Sequence, residues 1–477
     1  MKHALLSTLL FLSLGATAQT LGVCAAEIQA RAGASCGANL DAGEALGGHQ
    51  QRAGNDEWPR KSPRPEGLDP EEGRSGVAPL VWGATPDGAP RLGSPPFRDQ
   101  RGPGFLPRRL LGYLGQQVVP TTERYQGTEV GGLSSIDRVP GTDRFLCISD
   151  DHRVGRPRFY ELRLDLSKFK RTPTPGHEGV EFLAVTPLRG PAGEHYAQYL
   201  VDPEGLRIDA ARQRIYWSGE GMRKAVKFVA PSVRVIGLDG QERTEWLPPE
   251  AYIPAGSVAG TEPGDRGVRD NLGFESLTLT PDGKTLWTAT EVALTQDDEP
   301  PTLTTGSQAR LLSFDAETGR PGAEFVYTVE PLPVPANPPS AFAVNGLVEL
   351  LALDSSRFLA LERSYSQGGV TPGVSATTGK PTGNVIRLFL IDTASATNVA
   401  GWPSLRGREA RAVSKRLLLD LTTLHNDDGS PLALDNVEGL SWGPELDGKR
   451  TLLLVSDNDF SGHRQTHFIA LVLDGAL

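Results

Sequence analysis

The stretch EGLRIDAARQRIYWSGEG, residues 204–221, decides the fold. It runs from an acid through an apolar alternation, a tight turn and a second apolar run to another acid. Strands usually open on neutral, β-branched residues, so Glu204 placed directly before a strand needs a reason. The same grammar returns in GGLSSIDRVPGTDRFLCISDD (131–151), ESLTLTPDGKTLWTATE (275–291), NGLVELLALDSSRFLALE (345–362) and EGLSWGPELDGKRTLLLVSDND (438–459). Glu204 stands 16 residues before Glu220 and Glu275 stands 16 before Glu291, so the hairpin is a fixed unit and not a chance pattern.

Each hairpin is followed by two further strand candidates, such as SVRVIGLDG then RTEWLPP, and ARLLSFDAETG then EFVYTVEP. Four short strands repeated at a period near 70 residues describe an all-β fold, a β-propeller whose sheets are blades around an axial channel. A row of separate sandwiches would not repeat one hairpin at that period. The ends complete the ring. RRLLGYLGQQVVP (108–120) is an orphan strand ahead of the first hairpin, and only THFIALVLDG follows the last, so both are expected in one shared blade that leaves no open edge. The hairpins give five four-stranded blades, and the longer 345–438 interval leaves room for a sixth.

The N-terminus carries Lys2 and His3, an apolar run from Ala4 to Leu14 and the small-residue site Ala16-Thr17-Ala18, which together read as a signal peptide over residues 1–18. The run is too short to span a bilayer, and no other stretch approaches 18 apolar residues. Export to the periplasm or the extracellular space follows, without a membrane span. Residues 19–104 are rich in Ala, Gly, Pro and Arg without helical or strand period and read as a disordered extension. The propeller domain is expected over 105–477. Cys24 and Cys36 could close a small loop in an oxidising compartment, leaving Cys147 buried in RFLCISD; LGVC (21–24) is a poor lipoprotein site. The net charge of −10 argues against nucleic acid or an anionic membrane as partner and leaves cations and small molecules.

Leading ends of the innermost strands of a propeller face one another around the channel mouth. Glu204, Glu275 and Glu438 are therefore expected on one rim, with Asn345 and Gly131 in the matching places of the fourth and first units. Carboxylates crowded in a partly dehydrated funnel repel unless a cation or protons neutralise them, and an oxygen-rich set suits Ca²⁺. The acids closing the second strands, Asp150, Asp151, Glu220, Glu291, Glu362, Asp457 and Asp459, could extend such a site or simply cap turns. Arg153, Arg223, Lys224, Arg363 and Arg464 follow them closely, either as ordinary ion pairs or as anchors for an anionic substrate.

Other chemistries find little footing. GLSWG (439–443) matches Gly-x-Ser-x-Gly, but Ser441 sits inside a strand and not on a strand-turn-helix elbow. SKFK (167–170) lacks the companion motifs of Ser-x-x-Lys enzymes. His463 and His467 stand four apart without a His-Glu-x-x-His motif.

GGLSSID…FLCISDD, DPEGLRID…IYWSGEG, NLGFESLTLTPDGKTLWTATE, LLALDSSRFLALERSY and NVEGLSW…LLLVSDNDF, taken in order over 108–477, resemble the family called esterase-like activity of phytase, or phytase-like domain proteins. The resemblance implies an exported propeller and a hydrolase acting on a small-molecule ester or phosphoester. It also implies Glu204, Glu275 and Glu438 as catalytic ligands of a divalent cation, with Asn345 and Asp457 as further ligands; the oxygen-rich set makes calcium the expected cofactor. A ligand-binding propeller with a structural ion, or a sugar lactonase, is the alternative.

Overall fold

The computed structural model describes residues 110–152, 156–475 and 477. The signal peptide, the 19–104 extension, Cys24, Cys36 and Arg153 lie outside the described residues. Among the described residues there are five four-stranded antiparallel sheets, so the 345–438 interval holds one blade and long connections and not a sixth blade.

Blade I runs Leu133–Arg138, Arg144–Ser149, Arg158–Leu164 and Val180–Pro187. Blade II runs Pro203–Asp209, Arg214–Gly219, Ser232–Ile236 and Glu242–Trp246; blade III runs Phe274–Leu279, Thr285–Thr290, Ser307–Asp315 and Pro321–Val329. Blade IV runs Ala343–Ala352, Arg357–Ser366, Asn384–Asp392 and Ser414–Asp420. Blade V takes Asn436–Trp442, Thr451–Asp457 and Thr466–Leu473 from the C-terminal end of the chain and its outermost strand, Leu111–Val119, from the start of the described propeller. The two ends thus share a sheet, as the orphan strand predicted.

Five apolar clusters lie one to each blade interface. Leu146 and Phe159 meet Leu206 and Trp217; Tyr216 and Trp246 meet Phe274 and Phe314; Trp287 and Leu311 meet Leu347 and Phe358. Leu361 and Leu388 meet Leu440 and Leu471, and Val455 and Phe468 return to Ile136 and Tyr160 of blade I. Each blade is therefore apolar on both faces, which explains hydrophobic runs in place of a clean in-and-out alternation. The ring is closed by this fifth interface.

The first strands touch in ring order around the axis, and the axis is filled. Gly205 and Gly439 occur where a Cβ would lie 2.5 Å from Leu277 Cβ and 2.9 Å from Ser135 Cα, so only glycine lets neighbouring strands approach this closely. The side chain at the corresponding place in blade IV is Glu349, which meets Arg207 of blade II at 3.0 Å. Arg207 donates to the carbonyls of Ile136, Leu350 and Leu440 and to Ser135 Oγ, while Glu349 accepts from Leu277 N and Ser135 Oγ. One ion pair thereby ties all five first strands together. Polar groups this deep are costly unless partnered, and both Arg207 terminal nitrogens and both Glu349 oxygens have partners here.

Candidate functional site: an acidic cup at the channel mouth

All five first strands carry a bulge at the same point of the hairpin, because register shifts separate Leu133 from Ser135, Pro203 from Leu206, Phe274 from Ser276, Leu347 from Glu349 and Val437 from Gly439. The extra residues are Ser134, Glu204 with Gly205, Glu275, Val348 and Glu438. A bulge kinks the strand and re-aims its side chain, so the three glutamates recur because the backbone does. The sequence repeat predicts Asn345 and Gly131 in this series. The register puts Val348 and Ser134 there, three residues later in each case, because Asn345-Gly346-Leu347 imitates Glu-Gly-Leu while the hairpin of blade IV is longer. Asn345 instead donates to the Glu330 carbonyl at 2.8 Å and to Glu362 at 3.2 Å.

The second strands form a matching series. Just past the residue that faces each bulge stand Asp150, Glu220, Glu291, Arg363 and Asp457. Blade IV thus substitutes a cation where the other four carry an acid, and Glu362 lies one place before the series. Glu362 accepts from Tyr327 and Lys415, which makes it a structural acid between strands. Gly346 and Gly273 open the space that the series needs: a Cβ on Gly346 would lie 2.2 Å from Glu291 Cγ, and one on Gly273 would lie 2.0 Å from the Glu220 carbonyl oxygen.

Among the described residues, three groups bring ligand atoms within 4.8 Å of one another: Asp150, His152 and Asp202; Asp202, Glu204 and Glu220; and Glu220, Glu275 and Glu291. Glu204 and Glu275 therefore share one cup through Glu220. Glu438 reaches it through Arg363, whose guanidinium lies 2.9 Å from Glu438 and 3.6 Å from Glu291. Asn436 also donates to Glu438 at 2.9 Å. Asp457 is 3% exposed, accepts from the Asp459 backbone and belongs to none of the three groups.

Burial, then the charges of Glu275 and Asp202, pushes the Glu204 carboxyl well above the carboxylate range. Burial and neighbouring acids do the same to Glu220 and Glu275. Burial also lifts Glu438, with Arg363 pulling against it, to about 7. Burial works against a charged His152, but Asp202 at 2.6 Å and Asp150 outweigh it and hold the imidazole above its usual value. All five shifts share the crowding of acids around too few cations, to which burial adds for the four carboxyls.

The donor chemistry fits a divalent cation. Six carboxylates and one imidazole converge, and the buried oxygens Asp150 Oδ1 and Glu291 Oε1 accept no hydrogen bond. Hard cations take such oxygen ligands in flexible numbers. Sequence reasoning missed Asp202 and His152. Asp202 stands two residues ahead of Glu204 but just outside the strand Pro203–Asp209, so no strand alternation marks it. His152 has no echo in the other units and left no periodic signal.

Of the other cations, Arg464 pairs with Asp459 and lies 3.9 Å from Asp435. Arg223 is fixed by the carbonyls of Ala255, Ser257 and Arg266 and serves its loop. His463 is exposed and His467 is 1% exposed, so the two do not form a site. Ser441 lies in the first strand of blade V and donates to Asp137 at 3.3 Å, with no elbow. Cys147 is a buried free thiol.

Fold and cup together define a five-bladed propeller with a carboxylate-lined axial mouth. The chain belongs to the Phytase-like family, described as esterase-like activity of phytase, whose model matches residues 128–460. A protein of Arthroderma benhamiae described as an uncharacterized secreted protein is 29% identical over 185 residues, 34% of this chain and 36% of the relative, so the matched region spans about a third of that protein. Among solved structures, the chain is similar to the periplasmic gluconolactonase PpgL of Pseudomonas aeruginosa (12% identity, 73% of this chain and 88% of the other, TM-score 0.27). It is similar also to a thermostable family-43 glycoside hydrolase (10% identity, 71% and 89%, TM-score 0.36). These structural likenesses are too weak to bear on activity, and the architecture rests on the closed ring of interfaces.

Proposed function

We propose that the protein is an exported, metal-dependent hydrolase of phosphate or carboxylic esters, working at the acidic cup with calcium as its cation. The observation that supports it is the convergence of Asp202, Glu204 and Glu220 with Glu275 and Glu291, ligand atoms within 4.8 Å in each group, beside buried oxygens that accept no hydrogen bond. The family description supports the reaction class, and the signal-like N-terminus and the secreted relative support export. The activity is assigned to the propeller domain, 105–477.

Glu220, which converges with Asp202 and Glu204 on one side and with Glu275 and Glu291 on the other, would hold the cation together with these neighbours. A divalent ion there supplies polarisation of an ester or phosphoryl oxygen and acidity to a water molecule. Glu438 stands across Arg363 from this group, and its carboxyl at about 7 lets it take a proton near neutral pH and release it again. Arg363 and Asn436 orient Glu438 by hydrogen bonds of 2.9 Å each. Arg363 also offers the cup's positive charge to a substrate anion.

The test is hydrolysis of a generic phosphate ester and a generic carboxylic ester by the chelator-stripped protein, with and without added Ca²⁺. Activity that appears only with the ion and collapses in Glu204→Gln and Glu275→Gln supports the reading. Activity indifferent to chelator and to both substitutions overturns the mechanism. A protein that gains thermal stability from the ion yet turns over no ester is a binding propeller with a structural cation.

A further inference from the structure

The cup is longer than one ion needs. Its three groups form a chain: Asp202 belongs to the first and second, Glu220 to the second and third, and the end groups share no residue. The end groups also differ in chemistry. Asp150, His152 and Asp202 offer an imidazole with two carboxylates, whereas Glu220, Glu275 and Glu291 offer carboxylates alone.

Buried oxygens that accept no hydrogen bond run along the whole cup: Asp202 Oδ1, shared by the first two groups, meets only the His152 ring at 2.6 Å, and each end group holds one more. Glu291 is 1% exposed and its Oε1 accepts no hydrogen bond, while Asp150 Oδ1 is unpartnered in the other end group. A single ion in the middle group would leave both unmet. Charge points the same way. Arg363 is committed at 2.9 Å to Glu438 and reaches Glu291 only at 3.6 Å, so the acids of blades I to III lack a matching cation apart from His152. One divalent ion offsets a third of six carboxylates, and buried like charges left over are costly.

We infer that the cup holds two divalent cations side by side, one on Asp150, His152 and Asp202 and one on Glu220, Glu275 and Glu291, with Glu204 between them. The inference rests on the cation site proposed above and goes beyond it in number and kind. The imidazole-containing pocket favours a borderline ion such as Mn²⁺ or Zn²⁺, and the all-carboxylate pocket favours Ca²⁺ or Mg²⁺. An anionic ester oxygen placed over the cup would then meet positive charge from two sides.

The experiment is calorimetric titration of the chelator-stripped full-length protein with Mn²⁺ and with Ca²⁺, together with metal analysis after saturation. The expected result is two ions per chain, with His152→Ala abolishing one event and weakening Mn²⁺ by about 100-fold while sparing Ca²⁺. Glu291→Gln should remove the other event. If His152→Ala does not fold, Asp150→Asn addresses the same pocket. One ion per chain, or both variants striking the same event, overturns the inference. Ester hydrolysis with one bound ion overturns the two-ion inference alone; two bound ions with no hydrolysis overturn the hydrolase reading alone.

Discussion

Arg363 donates to Glu438 at 2.9 Å from the one place, in the five-fold series of second-strand residues, where the other blades carry an acid. This exchange of sign lets the ring close over its own carboxylates. Arg363→Gln leaves Glu438 without its ion pair and Glu291 without its nearest guanidinium. Breaking a buried pair on one side costs about 3 kcal/mol, so chemical denaturation near neutral pH should show a loss of that order. The loss should shrink at acidic pH, where the carboxyls are neutral, and Arg363→Lys should restore part of it. Equal losses at both pH values would mean that Arg363 serves packing alone.

Raised carboxyl pKa values have a signed consequence for stability. Glu204, Glu220, Glu275 and Glu438 hold protons more tightly in the folded protein than in the unfolded chain. Folding is therefore favoured below the ordinary carboxylate value of about 4.3, and that advantage is lost as pH rises through the folded values, about 7 for Glu438. His152, also raised, adds the same sign. The melting temperature of the cation-free protein should fall between about pH 5 and about pH 8, and saturating Ca²⁺ should flatten the decline. Surface acids held low, such as Asp354 at about 2, act below this window. A cation-free melting temperature that rises over the interval would contradict the crowded cup.

Glu204→Gln and Glu275→Gln should separate activity from stability. Each removes one negative charge from a repelling set, so the cation-free protein at about pH 8 should gain about 1 kcal/mol in denaturation. Each should at the same time lower kcat by about 10²-fold. Variants that lose both stability and activity would point to a packing role.

Gly346 tests the space behind Glu291. An alanine Cβ there would sit 2.2 Å from Glu291 Cγ, forcing that side chain away from Glu220 and Glu275. Calcium affinity in Gly346→Ala should drop by about 10-fold or more while the far-ultraviolet spectrum is unchanged. Unaltered affinity would show that Glu291 is not a ligand.

The axial pair gives the opposite control. Arg207 and Glu349 are 3% and 1% exposed and 3.0 Å apart. Glu349→Gln should cost about 3–5 kcal/mol in urea denaturation, yet leave ion stoichiometry unchanged. A variant that instead lost bound metal would extend the cup down to this layer.

Local chemistry made much of this fold legible. Turn residues between short apolar runs, repeated five times, specify hairpins before any long-range contact forms, and the spare strand at 108–120 requires a partner that only the C-terminal strand can supply. The site was legible in part. Glu204, Glu275 and Glu438 stood out because a charge beside an apolar strand is costly wherever it recurs. Val348 did not stand out, and Arg363 stood out only as a cation near the acids and not as the member of their series, since a bulge shifts register by one residue and no local propensity marks which residue is the extra one.

The chain's own order of residues thus determined the strands, their number per blade, the closing of the ring and three of the acids. Tertiary structure alone decided that Asp202, Glu220 and Glu291 join Glu204 and Glu275, that Glu438 is held off by Arg363, and that Arg207 and Glu349 fill the axis. The reason is distance along the chain: Glu204 and Glu275 belong to different repeats, and only docking of one blade's apolar face on the next fixes the angle at which their side chains meet.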